Sequence, residues 1–88
     1  MVGGHIKIRK INFTRSNFLM HIVNSIGEKI TSKETEIFIN NFFSENIITE
    51  NEAKLLKVAT SDKILNVDIN YKDKLRANIF KNMLLNLI

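Results

Sequence analysis

The 88-residue sequence predicts a small α+β domain, mostly helical, in the order β-α-α-α-β-α with a two-stranded sheet. Three observations lead there. Thr31-Ser32-Lys33-Glu34 and Thr49-Glu50-Asn51-Glu52 are both capping signals. In each, the Thr hydroxyl can accept from an N-terminal helix amide while the Glu reaches back to the Thr amide. Apolar residues recur at helical spacing through much of the chain, and two stretches, 5–13 and 65–71, instead alternate apolar with polar.

The first strand starts with Ile6 and Ile8 on one side and Lys7 and Arg9 on the other. Its phase slips by one residue at Lys10-Ile11, as a bulge or a strand end would cause. Thr14 or Ser16 can cap a first helix that ends near Gly27, a residue suited to the position after a helix. At 100° per residue, Phe18, Leu19, Ile22, Val23 and Ile26 gather on one face. The second helix runs from about Ser32 to Glu45 with Phe38, Ile39, Phe42 and Phe43 inward and Ile37 outside the stripe. The third runs from about Glu50 to Thr60, burying Leu55, Leu56, Val58 and Ala59. Residues 65–71 alternate without a fault and supply the partner that the first strand needs to pair its backbone groups. The last helix starts near Tyr71, capped by Asn70, and turns Ile79, Phe80, Met83, Leu84 and Leu87 one way.

One domain, residues 1–88, is expected from this length, and so small a domain buries only about 60–65% of its unfolded surface. A second copy would add interface, and the last helix is apolar enough to supply it, so a homodimer is expected with Ile79, Met83, Leu84 and Leu87 as self-association or partner contacts. Cysteine is absent, which removes disulfides, thiolate catalysis and cysteine-ligated metals. No apolar run approaches the roughly 20 residues of a membrane span, and the N-terminus lacks a signal-peptide core, so a cytoplasmic location is the expectation.

The motifs of catalysis are missing. His21 and Ser25 stand four apart on one helix face, but no carboxylate orients them. Neither His has ligand spacing to a carboxylate pair, Asp62, Asp68 and Asp73 lack the pattern of a calcium loop, and Gly3-Gly4 has no phosphate-loop context. The expectation is a protein that is not an enzyme, with no catalytic residue, no metal and no cofactor.

Charge points to binding. The net charge is +4, but residues 1–16 hold Lys7, Arg9, Lys10 and Arg15 with no acid, while the middle of the chain is mildly acidic and the end basic again. A basic terminus attracts phosphate, so Lys7, Arg9, Lys10 and Arg15 are the candidate nucleic-acid contacts. From His5 to about Glu45, a short basic strand followed by two helices, the second opening on a Ser/Thr cap, resembles the ribbon-helix-helix DNA-binding proteins. That resemblance implies a dimer whose paired strands enter the major groove. It would place Lys7 and Arg9 at base edges, and Thr31 with the first amides of the second helix on phosphate. A second reading takes Ile48 to Val58 as the first helix of a helix-turn-helix. The best expectation is a small non-catalytic DNA-binding regulator. The alternative is an adaptor or inhibitor, of phage, plasmid or immunity type, that occludes a larger protein through its apolar last helix.

Overall fold

The computed structural model describes residues 15–88, and among them every regular element is a helix: α1 over residues 15–25, α2 Ser32–Ser44, α3 Glu50–Ala59 and α4 Ile69–Leu87. The expected α+β class is therefore corrected to all-helical within those residues. The first expected strand, 5–13, lies outside them.

The two capping signals work as read. Thr31 accepts from the Glu34 amide at 3.1 Å and its own N–H donates to the Glu34 carboxylate at 3.0 Å. Thr49 and Glu52 repeat the exchange at 3.2 and 2.8 Å. Each pair satisfies donors that a helix start otherwise leaves open. The end of α2 uses Asn46, whose φ of 59° places it in the left-handed region that Asn tolerates better than most residues. That reversal lets the amides of Asn46 and Ile47 donate back to Phe43 and Phe42 at 3.1 and 2.8 Å. Gly27 plays no such part, because no described glycine has a positive φ.

The alternation at 65–71 does not produce a strand. Leu65 is buried, Asn66 turns, and Asp68 caps α4 by accepting from the Asn70 amide at 2.9 Å. The reason lies in the polar half of the pattern. Asn66, Asp68 and Asn70 are weak strand formers whose side chains compete for backbone groups, so they favour turns and caps. The cap thus falls two residues before the expected Asn70, and Tyr71 sits inside the first turn.

Leu19 and Val23 of α1, Ile26 just after it, Ile39 and Phe42 of α2, Ala53 and Leu56 of α3, and Ala77, Phe80 and Leu84 of α4 form one core. At its centre the Phe42 and Phe80 rings stack at 6.4 Å, Phe38 lies 6.0 Å from Phe42, and Phe18 meets Phe42 edge-on at 5.8 Å. Rings from α1, α2 and α4 are thereby locked together, each fully buried one contributing about 1.5–3 kcal/mol. Four residues expected inward on α2 and α3 are outside it, and of these Ala59 is half-buried. Phe43 lines a groove with Ala53, Lys54 and Lys57, while Leu55 and Val58 are exposed on the outer side of α3. The apolar arc of α3 is wider than the side that α2 and α4 cover.

Candidate functional site

The most connected polar residue is one that charge counting treats as surface. Arg76 lies on the buried arc of α4, about 40° round the helix from Phe80, and only 1% of it is exposed. Its Nε donates to the Thr60 carbonyl at 2.9 Å and its Nη1 to the Ile30 carbonyl at 3.0 Å. The same Nη1 meets the Asp73 carboxylate at 2.5 Å, and Nη2 pairs with Asp62. One guanidinium thus ties α4 to the end of α3 and to the connection between α1 and α2, where the Ile30 amide also donates to the Asp73 carbonyl at 3.1 Å. Only a planar group with several donors can serve acceptors from so many directions. The sequence signal was a lone Arg among the apolar positions of an amphipathic helix.

Of the nucleic-acid candidates, Lys7, Arg9 and Lys10 lie outside the described residues. Arg15 opens α1 and is engaged within the chain, with Nη2 3.4 Å from the Glu52 carboxylate and 3.5 Å from the Leu87 carbonyl. Thr31 is the α2 cap, with its amide donating to the Glu34 carboxylate and its hydroxyl accepting from the Glu34 amide, so both of its groups are engaged within the chain. Glu52 serves twice, as the α3 capping acid and as the partner of Arg15. The Thr49 amide donating to it, helped by the Arg15 charge and opposed by partial burial, holds its carboxyl below the usual range.

The four self-association candidates separate in the fold. Leu84 is wholly buried in the chain's own core, and Leu87 and Met83 are half-buried against it. Ile79 is half-buried at the edge of α4.

Among the described residues no three His, Asp or Glu side chains cluster as metal ligands, and His21 is exposed. Three surface grooves measure about 200, 230 and 250 Å³, below the roughly 300 Å³ at which small-molecule pockets begin. No described helix is long and apolar enough to cross a membrane. The surface is instead dotted with large apolar side chains, densest on α3 and the segment leading into α4, with Leu55, Val58, Ile64, Val67, Ile69 and Tyr71 all exposed.

Comparison with known proteins gives these surfaces a context. Residues 14–85 match the model of a family described as the CtsR C-terminal dimerization domain. Over 83 residues the chain is 30% identical to the transcriptional regulator CtsR of Staphylococcus haemolyticus strain JCSC1435 and 31% identical to that of Staphylococcus aureus strain USA300. Each match covers 93% of this chain and 54% of the relative, so the chain spans about half the length of these curated relatives. A crystal structure of CtsR in complex with a 26-base-pair DNA duplex superposes with a TM-score of 0.76 at 28% identity, over 82% of this chain and 48% of that one. The ribbon-helix-helix resemblance is overturned by these matches: a strand followed by two capped helices is a layout too generic to mark a family. The relatives are named as regulators, in line with a protein that is not an enzyme. The chain belongs to the CtsR C-terminal dimerization domain family.

Proposed function

We propose that this chain is the pairing unit of a CtsR-type transcriptional regulator, a non-catalytic protein that binds duplex DNA as a homodimer. The family match over residues 14–85 carries the reading. The physical case agrees with it. A helical unit of this size has a limited core of its own and leaves apolar side chains on its surface, which a second copy can cover. Two-fold pairing then sets the spacing at which two DNA-reading halves meet successive turns of a duplex, about 10 base pairs apart. The duplex bound by the related CtsR is long enough for two such contacts. Lys7, Arg9 and Lys10 remain the candidate phosphate contacts on this chain, on the strength of their uncompensated charge. An occluding inhibitor is not favoured, since nothing in the relatives' names points to a protein target.

The test is a hybrid regulator. Residues 14–85 replace the matched segment of the Staphylococcus aureus relative, and binding to a CtsR operator duplex is followed by fluorescence anisotropy with mass determination of the complex. Two hybrid chains per duplex, at near-parental affinity, are expected. A folded hybrid that binds as a monomer with affinity reduced to the non-specific level would refute the reading.

A further inference from the structure

We infer that the second copy docks on the outer edge of α3 and α4, with Leu55 and Val58 of α3 and Leu75, Ile79 and Met83 of α4 as the contact. This deepens the proposed function and rests on it, since the family match is what identifies the occupant as another copy of the chain.

The geometry of α4 singles out this edge. Taking Phe80 as the centre of the buried face, Arg76, Met83, Ile79 and Leu75 follow on one side at about 40°, 60°, 100° and 140°. Arg76 reaches the Thr60 carbonyl at the end of α3, so this is the side of α4 that looks toward α3. The opposite side carries Lys74, Asn78 and Lys81, which line a groove with Glu28. On α3, Glu52 and Ala59 are half-buried at about 40° and 60° round the helix from Leu56, on the side away from Ala53 and Lys57, and the next apolar positions outward are Leu55 and Val58, 64% and 58% exposed. Leu75 and Ile79 are half-buried yet stand apart from the central core, while Met83 packs on its margin. Helix geometry thus turns Leu55 and Val58 of α3 and Leu75, Ile79 and Met83 of α4 to the outer side of the two helices, with Lys72 on that side as well.

This outer side fits a copy of itself. Leu75, Ile79 and Met83 recur every four residues and make one ridge, the kind that interdigitates with an identical ridge at a crossing angle near −50°. A two-fold contact puts each patch against its own equivalent. Leu55, Val58, Leu75, Ile79 and Met83 bring no like charges together in that arrangement, whereas Lys74 and Lys81 would. Ile37, by contrast, stands on the outer face of α2 between the polar Asn41 and Ser44.

The experiment is sedimentation equilibrium on the full chain and on three variants, with circular dichroism to verify helix content. Leu55→Glu and Val58→Glu alter side chains that are largely exposed in the single chain, so the fold should persist. A carboxylate buried in the contact should weaken self-association by about 100-fold or more in each. Ile37→Glu, on the far face, should pair as the wild type does. A dimeric wild type whose Leu55→Glu and Val58→Glu variants keep their affinity, or whose Ile37→Glu variant alone loses it, overturns this inference and leaves the proposed function standing. A wild type that is monomeric throughout removes both.

Discussion

Replacing Arg76 by Met tests the internal architecture most severely. Met keeps much of the volume and the apolar stem but has no donor. The Thr60 and Ile30 carbonyls, both in buried residues, then lose charge-assisted hydrogen bonds of 2.9 and 3.0 Å. Bonds of that kind contribute about 1.5–3 kcal/mol each, and a buried acceptor left without a partner incurs a penalty of similar size. The Asp73 and Asp62 side chains are 40% and 58% exposed, so water replaces most of what they lose and their share is small. The expected destabilisation is about 3–5 kcal/mol, a large part of the roughly 4–13 kcal/mol available to a domain of this size. In thermal unfolding followed at 222 nm, at one fixed protein concentration because pairing couples to stability, the midpoint should fall by roughly 15–30 °C. Arg76→Lys should recover only part of the loss, since an ammonium cannot span the same acceptors. A Met variant within about 1 kcal/mol of the wild type would show that the guanidinium does not hold these elements together.

Three further outcomes follow from the same geometry. Thr49→Ala removes the α3 cap and should lower stability by about 1 kcal/mol in urea unfolding, with Thr31→Ala doing the same for α2; no change in either would count against the capping boxes. Glu52 has a folded-state pKa below its unfolded value, so its contribution is present above the unfolded carboxylate range and is lost as pH falls through the folded pKa. Glu52→Gln should therefore be less stable than the wild type at neutral pH, by under about 1 kcal/mol for so exposed a pair, with the gap closing in acid. Lys7→Ala, Arg9→Ala and Lys10→Ala combined should flatten the salt dependence of duplex binding by up to about one log–log unit per phosphate contact, and an unchanged slope would remove these residues from the DNA contact.

What could be read in the sequence was what is determined locally. The starts of α2 and α3 depend on four consecutive residues each, and both were placed to the residue. Period-two alternation at 65–71 was misleading because strand formation needs a partner, whereas Asp68 caps a helix with an atom of its own. Helical spacing locates the apolar face of a helix but not how much of that arc a neighbour covers, which is why Phe43 of α2 and Leu55 and Val58 of α3, expected inward, are exposed. Arg76 reads as a surface charge in the sequence because its acceptors lie 16 and 46 residues away in the chain. The expectation of a non-catalytic DNA-binding regulator rested on basic termini and missing catalytic motifs, and the relatives' names agree with it. The particular family expected was wrong.

The central claim is that this helical unit pairs two copies of a regulator, and the most direct test is the mass of the wild-type chain in solution. Sedimentation equilibrium over a range of micromolar concentrations should give a species of about twice 10.2 kDa that dissociates on dilution. A single species of 10.2 kDa at every concentration would contradict the account.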